Sequence, residues 1–238
     1  MNRKIFITGI SRGIGKALAA EFLKSGDIVY ALNRGAPAEP RDTGLHFVGH
    51  DLSDLDGIPS AMSELLTDAT HLDLVILNAG VLGPIRDLVN TPMDELQHVM
   101  DINTWANKIL LDTLIRRGVT VDQVIGISSG AAVSGNRGWN SYSLSKAAFV
   151  MLLRLYAAEL PATHFCSVAP GLVDTAMQDY LCGLDEAHAS TFPSVARLQS
   201  ARGTEAMPGP EALAPRLLRI FDQVLDRPSG DFVDIRKL

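Results

Sequence analysis

Lys4-Ile5-Phe6-Ile7-Thr8-Gly9-Ile10-Ser11-Arg12-Gly13-Ile14-Gly15 begins as an apolar run, breaks at a glycine and resumes with the period of a helix. Residues 3–8 read as a buried strand, and 13–24 as a helix carrying Ile14, Leu18, Phe22 and Leu23 on one side. Glycines at such a turn let the backbone approach a pyrophosphate closely, while the helix N-terminus offers N–H groups and the positive end of its dipole. Gly9, Ser11, Arg12, Gly13, Ile14 and Gly15 are therefore candidate phosphate contacts. The spacing is G-x-x-x-G-x-G. It is not a Walker loop, because Gly15-Lys16 is followed by Ala17 and Gly9 lies one position too far upstream. The plain alternative is a tight turn that needs glycine for geometry alone.

Outward from this loop, short apolar runs alternate with helical periods. Further strands are expected at 28–32, 45–48, 74–77, 121–127, 163–168 and 232–235, about seven in all. Helices are expected at 58–67, at 139–160 and at 210–226. A long one should open at Thr91-Pro92, as N-cap and first helical residue, and run to about 117. A turn-rich stretch spans 33–44. Residues 170–209 are rich in Pro, Gly, Ser and Ala, weakly periodic and too long for an ordinary connection, which suggests a substrate loop. Alternating units of this kind imply an α/β, Rossmann-type doubly wound parallel sheet with helices on both faces, one domain over 1–238. Ligands then bind at the carboxyl edge of the strands, where strand order reverses.

Composition narrows the partners. The 238 residues carry 21 Lys+Arg against 27 Asp+Glu, a formal net charge of -6, with 47% hydrophobic residues. A mildly acidic surface without a basic run argues against nucleic acid and against an electrostatic membrane anchor. The apolar stretch 147–160 is interrupted by Arg154 and Glu159 and reads as a buried helix. Two cysteines, Cys166 and Cys182, give neither a disulfide framework nor metal-ligand spacing, as expected of a cytoplasmic protein. The six histidines are scattered, and His46 and His50 flank a short strand, where residues four apart do not converge; no metal site is expected.

The end of the second expected strand separates two cofactor classes. An acidic residue there suits a free ribose 2′-hydroxyl, but the chain offers Asn33-Arg34. Arg34, with Arg12 in the glycine loop, would pair with the roughly -2 charge of a 2′-phosphate, which favours NADP(H) over NAD(H). Ordinary solvated arginines are the alternative. Farther along, Tyr142-Ser143-Leu144-Ser145-Lys146 puts a tyrosine and a lysine one helical turn apart on one face. Taken alone, that pair is weak. Its weight comes from Ser128-Ser129 at the end of the preceding strand, with Ser129 thirteen residues before Tyr142.

These pieces, with Asn78-Ala79-Gly80 after the fourth strand, Asn103 in the long helix and Pro170-Gly171-Leu172-Val173-Asp174-Thr175, follow one another in an order that resembles the short-chain dehydrogenase/reductase family over essentially the whole chain. The resemblance implies that Tyr142 is the general acid that protonates a carbonyl oxygen as hydride arrives at the carbon. Lys146 and oxidised nicotinamide would lower its pKa, and Ser129 would hydrogen-bond the substrate oxygen. It implies that Asn103 holds a water relaying protons to Lys146. Asp51, with Leu52 beside it, would read the adenine amino group. Asn78, Ala79, Gly80, Pro170 and Gly171 would line the cofactor, and Val173 and Thr175 would hold the nicotinamide carboxamide. Dimers or tetramers through the long helices matching 91–117 and 139–160 are implied too.

A finer resemblance lies in three places: Arg137-Gly138-Trp139-Asn140-Ser141-Tyr142, the run from Ala169 to Gln178, and Ser229-Gly230-Asp231-Phe232-Val233-Asp234. Together they are similar to the sepiapterin reductase branch, including bacterial benzil reductases, and the short 33–50 segment is closer to the diketone reductases. Trp139, Met177 and Asp234 become substrate candidates, Asp234 matching the aspartate that anchors a pterin amino group in sepiapterin reductase. Trp139, Tyr180 and Phe192 could line an apolar pocket or simply pack a lid. The expected activity is reduction of a ketone or diketone by NADPH to give an alcohol. Two rivals stand beside it. One is a cofactor-binding regulatory protein without turnover. The other is a serine hydrolase, since Gly126-Ile127-Ser128-Ser129-Gly130 fits G-x-S-x-G with His188 and an aspartate downstream. That elbow needs a helix to start directly after the serine, whereas 130–138 reads as turns.

Overall fold

The computed structural model describes residues 2–35 and 44–238. Of the turn-rich stretch 33–44, residues 36–43 lie outside the described residues. Seven strands form one parallel sheet: β1 (Lys4–Thr8), β2 (Ile28–Asn33), β3 (Leu45–Gly49), β4 (His71–Leu77), β5 (Thr120–Ile127), β6 (His164–Ala169) and β7 (Asp231–Asp234). Their order is β3-β2-β1-β4-β5-β6-β7, and it reverses between β1 and β4. The doubly wound sheet read from the alternation is thus the observed one.

The strand sequences are near-continuously apolar because both faces are covered. On one face Ile5, Ile7, Ile76, Ile125 and Val168 pack against α1 (Gly13–Lys24) and α10 (Pro210–Gln223). On the other, Phe6, Val75, Leu77, Val124 and Phe165 meet α2 (Ile58–Leu65), α4 (Ala106–Arg116) and α6 (Asn140–Glu159). The alternation along each strand sends odd and even residues to opposite layers.

Two expectations change in detail. The helix expected from Thr91 to about 117 is three segments: α3 (Met93–Met100), a π turn at Asp101–Trp105, and α4. Pro92, not Thr91, caps α3, and its side chain makes no cap bond. The Thr91 hydroxyl instead donates to the Asp87 carbonyl (3.1 Å) and accepts from Asn140 Nδ2 (2.5 Å). The second change is in 170–209, which folds into three short helices: α7 (Ala176–Cys182), α8 (Glu186–Thr191) and α9 (Pro193–Ala201). They have a small core of their own, in which Leu181, Phe192, Val195 and Leu198 pack with Leu82, Ile85 and Tyr142. Among the described residues no helix is long and apolar enough to cross a membrane.

Candidate active site

A cavity of about 900 Å³ opens at the carboxyl edge, over the point where strand order reverses. The β1–α1 loop forms its floor. Gly13 stands at φ +60°, a backbone conformation that L side chains rarely adopt. A Cβ on Gly15 would collide with the Gly9 carbonyl oxygen and with Asn78, so only glycine lets the loop close onto the end of β4. Asn78 secures this junction: its Nδ2 donates to the carbonyls of Thr8 (2.9 Å) and Gly9 (3.0 Å). The Thr8 hydroxyl accepts in return from the N–H groups of Asn78 (3.0 Å) and Ala79 (3.1 Å). Gly9, Ser11, Arg12, Gly13 and Ile14 all face the cavity, while Gly15 sits behind them.

At one end the walls are Asn33, Arg34, Asp51 and Leu52. Asn33 is buried and donates to the Gly35 carbonyl (2.6 Å). Arg34 is 79% exposed, with Nη1 3.7 Å from Asp51 Oδ2. Asp51 Oδ1 accepts from the N–H (3.0 Å) and hydroxyl (2.9 Å) of Ser53. Those bonds, ahead of the Arg34 charge, hold its carboxyl below the usual range.

At the other end Ser129, Tyr142 and Lys146 converge, brought there by the end of β5 and the first turns of α6. Burial pushes the Tyr142 phenol up to about 12, against a hydrogen bond with Ser129 that lowers it. Lys146 is itself brought down to about 8 by burial. Its ammonium donates to the Ile127 carbonyl (2.8 Å) and lies 5.8 Å from the Tyr142 ring centroid. Asn103, fully buried in the π turn, has a committed side chain. Its Oδ1 accepts from Val81 N–H (2.8 Å), and its Nδ2 donates to Val81 carbonyl (2.8 Å) and Ser145 Oγ (2.9 Å). The amide ties the β4–α3 loop to α6.

Asn78, Ala79, Gly80, Pro170, Gly171, Val173 and Thr175 line the stretch between the two ends. Trp139 and Met177 face the tyrosine end, as does Tyr180, whose hydroxyl accepts from the Ile85 N–H (3.4 Å). The Trp139 indole N–H donates to Ser194 Oγ in α9 (2.7 Å) and fastens the helical insertion to the rim of the site.

Three expected residues sit elsewhere. Asp234 is not on the cavity wall: Arg236 takes both its oxygens (2.9 and 2.5 Å), holding its carboxyl below the usual range. Phe192 packs beneath Gly138 instead of lining the cavity. His188 pairs with Asp185 on α8 (2.7 Å) and does not reach the wall, where His50 at the Arg34 end is the sole histidine among the described residues. A four-residue helix, α5 (Ala131–Ser134), does follow Ser129, contrary to the turns expected there. The serine elbow nevertheless lacks a histidine base. Sequence reasoning missed Leu82, Pro84, Leu198 and Gln178, which also line the cavity. A signal was available for the first two, because they follow the strand end at the reversal point.

Comparison with known proteins gives this geometry its class. The family model described as short chain dehydrogenase matches residues 3–182. The chain belongs to the short chain dehydrogenase family. Within it, the likeness is to the benzil reductase branch. A benzil reductase ((S)-benzoin forming) of Bacillus subtilis is 28% identical, with 97% of each chain covered. A Saccharomyces cerevisiae benzil reductase ((S)-benzoin forming) is 31% identical over 75% of this chain and 74% of its own. Among solved structures, the KRED1-Pglu enzyme superposes with a TM-score of 0.84 at 24% identity, covering 98% of this chain and all of that one, which is a likeness of fold.

Proposed function

We propose that this oxidoreductase is an NADPH-dependent carbonyl reductase of apolar ketones or diketones, with residues 1–238 acting as one domain. The observation that carries the reading is the convergence of Ser129, Tyr142 and Lys146 on the same cavity as the glycine loop and Arg34. The residues present fit a dinucleotide: a loop closed by Gly15 and Asn78 at a helix N-terminus suits the pyrophosphate, and the volume holds a cofactor and a small substrate. Arg34 and Arg12, both exposed at the rim, suit a 2′-phosphate. Asp51 would sit at the adenine, and Val173 and Thr175 at the carboxamide.

A bound reduced nicotinamide supplies the hydride. The chain's own groups manage the oxygen. Tyr142 Oη, held protonated by burial, donates its proton to the carbonyl oxygen, and the Ser129 hydroxyl hydrogen-bonds the same oxygen as charge develops. Lys146, anchored on Ile127, sets its ammonium beside the phenolate left behind. Leu82, Trp139, Met177 and Tyr180 exclude water and accept an apolar substrate. The same reading includes a homodimer or homotetramer, supported by the outward stripe of Leu144, Met151 and Leu155 on α6.

The test is nicotinamide oxidation by the purified protein, comparing NADPH with NADH and benzil with sepiapterin. Rapid NADPH-dependent loss with benzil is the expected result. Turnover of sepiapterin alone would replace the diketone by a pterin, and tight NADPH binding without turnover of any ketone would overturn the reductase reading.

A further inference from the structure

Gln178 lies in the first turn of α7 with its side chain on the cavity wall and only 8% of its surface exposed. Its Oε1 is buried without a hydrogen-bond partner, and its Nε2 makes none to any described residue. The unpaired Oε1 is sealed from the cavity and costs stability, whereas Nε2 keeps access to the cavity and is free to donate to a ligand oxygen. The surroundings make the feature selective. Leu181, one turn farther along the same helix, belongs to the same apolar cluster as Tyr142, which places Gln178 toward the tyrosine end of the cavity. The neighbouring polar groups are engaged: the Trp139 indole N–H with Ser194, the Tyr180 hydroxyl with the Ile85 N–H.

Resting on the carbonyl reductase reading, we infer that Gln178 is a specificity-determining residue whose amide binds a second oxygen next to the reacting carbonyl. The substrate class is then an apolar vicinal diketone or α-hydroxy ketone. Ser129 and Tyr142 take one oxygen, and Gln178 Nε2–H donates to the other if it is a carbonyl. If it is a hydroxyl, its oxygen accepts from the same Nε2–H. Sites built to hydrogen-bond a substrate group reject analogues lacking that group far better than apolar pockets reject a missing methylene.

The test compares benzil with deoxybenzoin, which has the same two phenyl rings but one oxygen fewer, in the wild type and in Gln178→Met. The benzil to deoxybenzoin ratio of kcat/KM is expected to fall about 10- to 100-fold in the variant. NADPH Kd should stay within about twofold, and Tm of the ligand-free variant should match or exceed that of the wild type, because an unpaired buried amide has been replaced by an apolar chain of similar length. Equal losses on both ketones, an unchanged ratio, a lowered Tm marking a structural amide, or a large loss of NADPH affinity marking a cofactor contact would each overturn the assignment. Failure of the wild type to reduce either ketone while binding NADPH is a different outcome: it removes the reductase reading itself.

Discussion

Tyr142 and Lys146 share a helix face and a dry environment, and burial drives their acidities apart, the phenol up to about 12 and the ammonium down to about 8. Replacing the phenol with phenylalanine should lower kcat by about 10³-fold with NADPH still bound, checked by single-turnover assay and cofactor titration. The lysine carries a stability signature as well. Its folded pKa lies below the unfolded value, so its contribution to ligand-free stability is complete above about 10.5 and is lost as pH falls through about 8. Chemical denaturation of the wild type should therefore gain up to about 3 kcal/mol between pH 7 and 10 relative to Lys146→Met, a slope the variant lacks. At the other end of the cavity, Arg34→Asp should weaken NADPH about 100-fold and NADH no more than about threefold, measured by fluorescence titration. Much at this scale was legible, because Ser129, Tyr142 and Lys146 are fixed by spacing along one strand end and one helix. Asp234 was not, since its partner Arg236 lies two residues on and only the geometry of the chain after β7 turns the two together. Nor was Gln178, whose significance is the absence of partners, a property of the packed state.

Elements behave differently. The strands and most helices follow the apolar periods, but the π turn at Asp101–Trp105 escapes them, because one extra residue in a turn leaves the amphipathic pattern nearly intact. The insertion escaped for another reason: α7, α8 and α9 have 7, 6 and 9 residues, too few for a helical period to declare itself. What holds them is a latch on the rim, Trp139 to Ser194, together with the apolar cluster beneath. Trp139→Phe keeps an aromatic ring, smaller than the indole, and deletes the N–H, whose bond is worth about 1 kcal/mol. Cleavage of the ligand-free protein by a nonspecific protease within 183–203 should then run about five times faster, provided opening and reclosing outpace cleavage.

On the scale of the molecule, the sheet order and the cavity above its reversal follow from parallel connectivity, which the alternation of units made legible. The surface assigned to the proposed oligomer did not follow so directly. α6 is apolar on its sheet-facing side through Phe149, Val150 and Leu153, and also on its outer side through Leu144, Met151 and Leu155, as expected of a helix covered on both sides. Leu155→Glu should shift the protein to a monomer by light scattering, with secondary structure retained by circular dichroism. An unchanged mass would remove this helix from the interface.

The lacing of Thr8 to Asn78 has a consequence in time. β1 sits in the middle of the sheet, and its neighbour β4 arrives some seventy residues later. The first strand to be synthesised therefore waits with one flank open while β2 and β3 pair beside it. Contacts so far apart in the chain are slow to form. The floor of the cavity is thus a late event assembled from early material, and a chain halted before residue 78 would have its glycine turn tied to Leu32 of β2 but not closed from the β4 side.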